Sequence, residues 1–212
     1  SKFIRGLRVT DKKIINIVES VLIDFNNDIV DSLRKFGTDA ISIHTKKNNI
    51  IKVTPESKEL GFVGIPNEIN NNLIEKILNK KQVPIISPLG LGNDNHPYNI
   101  NGDTAAGAIA KSLKSRRLLL MTNVEGVLDK GKKLVNEISS SEILKMIEDN
   151  TITEGMIPKI NTCLDAVNNG VTAVGIIDGR KQHSILFEIF SDKGSGTLIR
   201  RWKILKKWNI FC

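Results

Sequence analysis

Short apolar runs alternate with longer amphipathic segments along most of the chain. Residues Leu118–Thr122 and Ala173–Ile177 are almost wholly apolar, which is typical of strands buried on both faces of a parallel sheet. Between such runs, apolar residues recur at three- and four-residue spacing and predict helices over 72–80, 103–113, 139–149, 156–168 and 184–190. Strands that alternate with helices predict an α/β fold with a mainly parallel central sheet.

The beginning of the chain carries further helix signals. Thr10 is predicted to be the N-cap of a helix whose apolar positions run from Ile14 to Leu22. A second helix over 29–36 is predicted to stop at Gly37, because glycine is a common residue just after a helix.

Two other local patterns predict a hairpin and a helix cap. Segments 40–44 and 50–54 flank a polar turn, which predicts a β-hairpin. Ser139 and Glu142 have the spacing of a capping box, in which each side chain bonds the other residue's backbone N–H.

The composition is that of an ordinary globular protein, with 40% of the 212 residues hydrophobic and 25% charged. The net charge is +8, but five of the 31 basic residues lie in the acid-free last thirteen positions, 200–212. The remainder has 26 basic and 23 acidic residues, a net charge of +3, so we expect no nucleic-acid partner. No apolar run approaches the roughly 20 residues that span a membrane, and no membrane partner is expected. Cys163 and Cys212 lack a CxxC spacing, which favours a reducing, intracellular compartment.

Three loops that should follow the carboxyl ends of strands combine glycine or small residues with a charged or amide group. They are Tyr98–Asp103, Thr122–Leu128 and Thr151–Lys159. Ligands of open α/β sheets bind at this edge, and backbone N–H groups beside one placed charge suit a phosphate or a carboxylate. None of the loops matches the Walker phosphate-loop pattern or the GxGxxG dinucleotide pattern.

Five short motifs follow one another in order along the chain. They are GLRVT at 6–10, LGFVG at 60–64, VPIISP at 83–88, NINGDTAA at 99–106 and GMIPK at 155–159. Together they resemble the amino acid kinase family and, within it, the N-acetylglutamate kinases. Because the ordered match extends over about residues 2–199, chance is a poor explanation.

The resemblance implies a fold and an activity. The fold would be a three-layer α/β sandwich over residues 1–199, with its substrate side in about 1–80 and its nucleotide side in about 81–199. The activity would be transfer of the ATP γ-phosphoryl group to the γ-carboxylate of N-acetyl-L-glutamate, the second step of arginine biosynthesis. Mg-ATP would be a co-substrate, with no tightly bound cofactor and no resident metal. A homo-oligomer in the cytoplasm, or in the plastid stroma, is also implied.

The resemblance further implies roles for individual residues. Lys159 would stabilise the charge on the transferred phosphoryl group, and Asp103 would orient the catalytic lysines. Arg8 would bind a substrate carboxylate, which suits a bidentate guanidinium, and Asn99 would hydrogen-bond N-acetylglutamate. The nucleotide would be lined by Asn123, Val124, Glu125, Gly126, Val127, Leu128, Thr151, Ile152 and Thr153.

The chain departs from the family pattern at its N-terminus and at an effector site. A Lys-x-Gly-Gly loop and a Gly-Gly-Gly loop would precede Arg8, so we expect an N-terminally truncated chain that is inactive alone. Glu188 and Gly194 match positions associated with the effector arginine, but Gly175 stands where arginine-inhibited members carry His. One alternative is a catalytically incomplete module that binds nucleotide or associates with a full subunit. Another is the same fold acting on a different acyl acceptor.

The predicted site residues also have ordinary structural interpretations. Lys159 would then be a solvated surface lysine, Asp103 a helix cap and Asn99 a turn residue. Arg8 would form an exposed ion pair with Asp11.

The tail 200–212 has two interpretations. Trp202, Leu205 and Trp208 are three residues apart with basic residues between them, which is compatible with a membrane-surface helix. An extension that is not native to the family is the favoured interpretation, because the resemblance stops near Ile199.

Overall fold

The computed structural model describes residues 2–4, 7–152, 155–191 and 194–202. The chain divides into two compact units, Ser1–Ser112 and Leu113–Cys212. The predicted division near residue 80, between a substrate side and a nucleotide side, stays a prediction. The boundary between the two compact units lies later in the chain, so residues 81–112 belong to the first unit.

The first unit contains eight strands and three helices in its described part. In chain order they are β1 (Phe3–Ile4), β2 (Leu7–Arg8), α1 (Lys12–Lys35), β3 (Ala40–Ile43), β4 (Ile51–Pro55), β5 (Gly64–Ile69), α2 (Asn71–Asn79), β6 (Val83–Ile86), β7 (Leu89–Leu91), β8 (Pro97–Asn99) and α3 (Gly102–Ser112). Strands β3 and β6 pair in parallel, and a four-stranded sheet has the order β5-β4-β7-β8. Within that sheet, β4 and β7 are parallel, and the other two pairs are antiparallel.

One long helix stands where two short helices were predicted. Helix α1 runs unbroken from Lys12 to Lys35, and its N-cap is Asp11, so the prediction of Thr10 as N-cap is wrong. The polar residues between the two apolar stretches do not interrupt the helix, because Asn26 lies on its buried face. The Asn26 amide donates to the Ile85 carbonyl at 2.8 Å and accepts from the Ser42 hydroxyl at 2.6 Å. The predicted end of the helix at Gly37 is confirmed, because α1 ends at Lys35 and Gly37 has the left-handed φ of +83°.

The predicted hairpin between 40–44 and 50–54 is also wrong. His44 and Lys47 exchange backbone hydrogen bonds of 2.9 and 3.0 Å in a tight turn, but the flanking strands then separate. β3 pairs with β6, whereas β4 pairs with β5 and β7. The turn signal was therefore real, while the partners of both strands are distant in sequence.

The second unit carries the predicted alternation of strands and helices. Its elements are β9 (Arg117–Thr122), β10 (Glu137–Ser139), α4 (Ser140–Glu148), α5 (Ile157–Asn168), β11 (Ala173–Asp178), α6 (Ser184–Phe190) and β12 (Gly196–Arg200). The sheet order is β10-β12-β11-β9, with the central β11–β12 pair antiparallel and both outer pairs parallel. All six residues of β11 are buried, and α5 packs on β11 and β12 through Ile160, Cys163, Ala166 and Val167. The predicted α/β fold is confirmed, with sheets that mix parallel and antiparallel pairs.

The capping box at the start of α4 is confirmed. The Glu142 N–H donates to Ser139 Oγ at 3.3 Å, and the Ser139 N–H donates to Glu142 Oε2 at 2.9 Å. Within the described ranges, none of the helices is both long enough and apolar enough to cross a membrane.

Candidate nucleotide and substrate sites

Two parallel strands bring the first predicted nucleotide loop to one edge of the second unit. β9 and β11 end side by side, with Thr122 opposite Asp178. The Gly179 N–H donates to the Thr122 carbonyl at 2.8 Å, which extends the pairing one residue past β11. The loop 123–128 therefore starts at the edge where ligands of α/β sheets bind.

A cavity of about 450 Å³ opens beside this loop, a volume within the range of small-molecule sites. It collects residues of both predicted nucleotide segments together with Lys159. The lining residues are Thr122, Asn123, Val124, Gly126, Val127, Leu128, Thr151, Ile152, Gly155, Met156 and Lys159. Thr153, also predicted here, lies outside the described residues. Most lining side chains are apolar, which suits a nucleobase, and the lysine suits an anion.

A buried hydroxyl shapes the first wall of the cavity. Thr197, on β12, is 1% exposed, and its Oγ1 accepts from the Val127 N–H at 2.8 Å. Gly126 precedes this contact with φ +145°, and a Cβ there would lie 2.5 Å from Thr197 Oγ1 and 2.8 Å from Leu134 Cδ1. Glycine is therefore required both by the backbone conformation and by the close approach of β12.

The second wall follows the C-terminal end of α4. Asn150 has φ +58°, a left-handed conformation that often ends helices and that Asn tolerates. The chain then turns back, because the Ile152 N–H donates to the Met146 carbonyl at 2.9 Å. The Ile152 side chain is buried, so this segment is anchored to the helix that precedes it.

Asp149, the C-cap of α4, holds the two walls together. Its carboxylate accepts from the Thr151 hydroxyl and from the Thr151 N–H at 3.1 Å. Lys130, two residues beyond the loop 123–128, lies 2.9 Å from Asp149 Oδ2 through its Nζ. The hydrogen bonds from Thr151 and then from Lys130 hold the pKa of Asp149 below its ordinary value.

The N-terminus of α5 supplies positive charge to the cavity. The helix begins at Ile157 without a side-chain cap and has Pro158 in its first turn. Uncapped N–H groups and the helix dipole favour an anion at this end. Half-buried Lys159 adds a cation in the same turn, where the dipole disfavours one, so a bound anion would stabilise the arrangement.

Two ion pairs follow the carboxyl end of β11. Asp178 accepts from Arg180 Nε and Nη2, each at 2.9 Å, and from the Arg180 N–H at 3.0 Å. These hydrogen bonds lower the pKa of Asp178 to about 2. Glu125 Oε1 lies 2.8 Å from Lys181 Nζ, and its side chain is not part of the cavity lining. The structure therefore sets Glu125 apart from the other described residues predicted to line the nucleotide.

In the first unit, three of the motif segments pair in a row. The Phe62 N–H donates to the Thr10 carbonyl at 2.7 Å, and the Asn99 N–H donates to the Phe62 carbonyl at 2.9 Å. Gly61 has φ +69°, and a Cβ there would collide with the Thr10 carbonyl oxygen, so glycine permits this pairing. The segments that carry Arg8 and Asn99 are thereby joined through a common neighbour.

The ion pair with Asp11, the structural alternative for Arg8, is not formed. The Arg8 guanidinium lies over the Phe3 ring, with Cζ 5.5 Å from the ring centroid. Asp11 instead accepts from the N–H groups of Lys13 and Ile14 at the start of α1. Asn99 is the last residue of β8 rather than a turn residue.

Asn101, not Asp103, caps α3. Asn101 Oδ1 accepts from the Asp103 N–H at 3.0 Å and from the Thr104 N–H at 3.2 Å. Asp103 lies half-buried in the first turn, where the helix dipole favours a negative charge. The N-cap position of α3 is thus filled by Asn101, and the catalytic role of Asp103 stays a prediction.

The two predicted effector residues line a second cavity, of about 270 Å³. Buried Glu188 accepts through Oε2 from the Ser195 N–H at 2.9 Å, and a Cβ at Gly194 would lie 2.8 Å from the same oxygen. Arg117 Nη1 donates to the Glu188 carbonyl at 3.1 Å and lies 3.8 Å from Oε1. A guanidinium of the protein itself therefore already pairs with Glu188. In the described part of the chain, no group of three His, Cys, Asp or Glu residues could hold a metal ion.

The amino acid kinase family model matches residues 1–178. The chain belongs to this family. It is 57% identical over 200 residues to the acetylglutamate kinase of Pelagibacter ubique (strain HTCC1062), across 94% of the chain and 69% of that relative. It is 47% identical over 215 residues to the acetylglutamate kinase of Rhodospirillum centenum (strain ATCC 51521 / SW), across 95% of the chain and 70% of that relative.

A solved structure shares the fold of the chain. The structure of smu.665 from Streptococcus mutans UA159 has a TM-score of 0.80 and 32% identity, across 95% of the chain and 77% of that protein. Family membership implies a nucleotide co-substrate. It also favours a kinase over the incomplete binding module that the sequence left open.

Thr197 shapes the site but carries no local signal of it. Thr197 lies 70 positions from the N–H that it binds, so no short motif connects them. Asp149 did carry a signal, because an acidic residue at a helix C-terminus opposes the dipole and needs a compensating partner.

Proposed function

We propose that the chain transfers the γ-phosphoryl group of Mg-ATP to the γ-carboxylate of N-acetyl-L-glutamate, the second step of arginine biosynthesis. The observation that carries the proposal is the convergence of the loop 123–128, Thr151, Ile152 and Lys159 on one cavity of about 450 Å³. The relatives named acetylglutamate kinase supply the identity of the acceptor.

The cavity supports a division of the nucleotide between two kinds of surface. Val124, Leu128, Ile152 and Met156 offer apolar contacts to the base. The uncapped N-terminus of α5 and Lys159 attract the phosphates. Lys159 would stabilise the negative charge that spreads over the phosphoryl group during transfer.

The acceptor side belongs to the motif segments of the first unit. Arg8 would bind a carboxylate of N-acetylglutamate, Asn99 would hydrogen-bond it, and Asp103 would orient the catalytic lysines. A γ-carboxylate oxygen attacks the γ-phosphorus, the bond to the ADP oxygen breaks, and an acyl phosphate and ADP result. Since a glutamate carboxylate is already ionised near neutral pH, no base is needed to activate it. Catalysis then depends on positioning and on neutralising the charge of two anions.

The test is release of ADP from Mg-ATP with N-acetyl-L-glutamate, measured on the chain and on the protein encoded by the reading frame that contains it. Glutamate without the acetyl group serves as the control acceptor. In the active form, Lys159→Ala should lower turnover at least about a hundredfold and leave the ATP dissociation constant within about fivefold, because the charge it stabilises grows in the transition state. Lys145→Ala, an exposed lysine on α4, should change neither quantity.

Three results would contradict the proposal. Unchanged turnover in Lys159→Ala would remove its catalytic role. Phosphoryl transfer to another acyl acceptor but not to N-acetylglutamate would replace the substrate. Silence of both proteins, with ATP still bound, would favour the module that binds nucleotide or associates with a full subunit.

We also propose that the chain forms a homo-oligomer through α1. Ile17, Val21 and Phe25 are four residues apart on one helix face and are 63%, 58% and 60% exposed. Two copies of α1 packed antiparallel about Val21 would place Ile17 against Phe25 and exposed Lys13 near exposed Asp28, which complements both shape and charge. Arginine binding at Glu188 and Gly194 and a cytoplasmic location remain predictions from the resemblance.

A further inference from the structure

Lys130 and Asp149 connect the two walls of the nucleotide cavity without lining it. Lys130 lies two residues after the loop 123–128, in the segment 128–134. The ends of this segment are joined by the Val135 N–H, which donates to the Val127 carbonyl at 2.9 Å. Asp149 lies two residues before Thr151 on the other wall. Their contact, 2.9 Å between Lys130 Nζ and Asp149 Oδ2, therefore ties one wall to the other from outside the cavity.

The position of Asp149 is electrostatically unfavourable for the helix alone. The C-terminus of α4 carries partial negative charge, and a carboxylate there is destabilising. The three groups that compensate it are the N–H and the hydroxyl of Thr151 and the ammonium of Lys130. Two of these three donors belong to a residue that lines the cavity, so the carboxylate orders that residue directly.

We propose that Asp149 and Lys130 are positioning residues that set the separation of the two cavity walls and thereby the affinity for ATP. This inference rests on the proposed function, because it takes the cavity to be the nucleotide site. Asp149 acts on Thr151 through two hydrogen bonds, whereas Lys130 acts only through Asp149.

This order of action predicts a specific pattern among variants. Asp149→Ala removes the hydrogen bonds to Thr151 as well as the ion pair, and it should weaken ATP binding about tenfold. Lys130→Ala removes only an exposed ion pair and should weaken ATP binding about threefold. The double variant should bind ATP no more weakly than Asp149→Ala, because Lys130 has no route to the cavity once its partner is gone.

The experiment is calorimetric titration of the unmodified chain, these three variants and two further variants with ATP at low ionic strength. Lys133→Ala is the matched control, because it removes the same charge from the same segment 128–134 and the Lys133 side chain is exposed. It should bind ATP as the unmodified chain does, whereas Lys130→Arg should restore most of the affinity lost in Lys130→Ala. Raising the salt concentration should shrink the difference between the unmodified chain and Lys130→Ala, which a loss of packing would not do.

The outcomes separate this inference from the proposed function. Failure of the unmodified chain to bind ATP overturns both. Binding by the unmodified chain with the same affinity in Lys130→Ala and Asp149→Ala overturns the positioning role alone. An additive loss in the double variant, or an equal loss in Lys133→Ala, overturns it as well. Should Asp149→Ala unfold, the Lys130→Ala and Lys130→Arg pair still decides, because both substitutions keep the Asp149 carboxylate and its hydrogen bonds to Thr151.

Discussion

At the scale of single residues, the hydroxyl of Thr197 constrains the loop 123–128 through a hydrogen bond from a distant strand. It is buried and accepts from the Val127 N–H at 2.8 Å. Thr197→Val keeps the shape but removes the acceptor, so it should destabilise the fold by about 1–3 kcal/mol, the cost of an unsatisfied buried donor. Urea unfolding measures this loss, and ATP affinity should fall with it.

Thr197→Ser is the control for that substitution. It keeps the hydroxyl and loses one methyl group, so its cost should stay below about 1 kcal/mol. A loss in Thr197→Ser as large as in Thr197→Val would mean that packing of the methyl group, not the hydrogen bond, holds the loop.

Residues that act on near neighbours in sequence could be predicted, and residues that act across the sheet could not. Loop 123–128 and Lys159 were predicted from motifs and converge on one cavity. The identity of the α3 cap was missed, because Asn101 and Asp103 are both good capping residues and only the three-dimensional arrangement distinguishes them. The ion pair of Glu125 could not be predicted either, because its partner Lys181 is 56 positions away.

At the scale of elements, α4 connects a predicted cap with a wall of the cavity. Its N-terminus is held by the reciprocal Ser139 and Glu142 bonds, and its C-terminus leads into Thr151 and Ile152. Ser139→Ala should therefore destabilise the protein by about 1 kcal/mol, the usual value of an N-cap. Chemical denaturation measures it, and Ser139→Thr, which keeps a capping hydroxyl, should recover most of the loss. Equal stability of Ser139→Ala and the unmodified chain would show that the cap adds nothing to α4.

The elements that were predicted wrongly share one physical cause. Helix α1 was divided because its middle is polar, yet buried Asn26 satisfies its amide on β3 and β6 and so belongs to the core face. The turn behind the predicted hairpin exists, but β3 pairs with β6, a strand 43 positions farther along. Tertiary partners therefore overrode local signals in both cases. In the second unit α4 packs on β10, α5 on β11 and α6 on β11, each of which adjoins its helix in sequence, and local patterns were sufficient there.

At the scale of the whole molecule, the order of five motifs was enough to predict the family and the α/β fold. The exposed stripe on α1 was not recognised as a surface, because its residues have the same helical spacing as a buried face. Burial distinguishes them. Ile15, Glu19, Asn26 and Val30 face the core, while Ile17, Val21 and Phe25 face outward.

The exposed stripe of Ile17, Val21 and Phe25 allows the proposed self-association to be tested by measuring the molecular mass in solution. Light scattering on the protein as it elutes from a size-exclusion column should give twice the 23.5 kDa of the chain, or a higher multiple. Val21→Lys should shift it to 23.5 kDa, because two lysines would meet at the centre of an apolar contact. Asn16→Lys is the control, since it adds the same charge to an exposed position away from the stripe on α1 and should leave the mass unchanged. A monomeric unmodified chain would refute self-association, and an oligomer that survives Val21→Lys would place the interface elsewhere. If both lysine variants dissociate the oligomer, the added charge alone is responsible, and the interface is no longer assigned to the exposed stripe on α1.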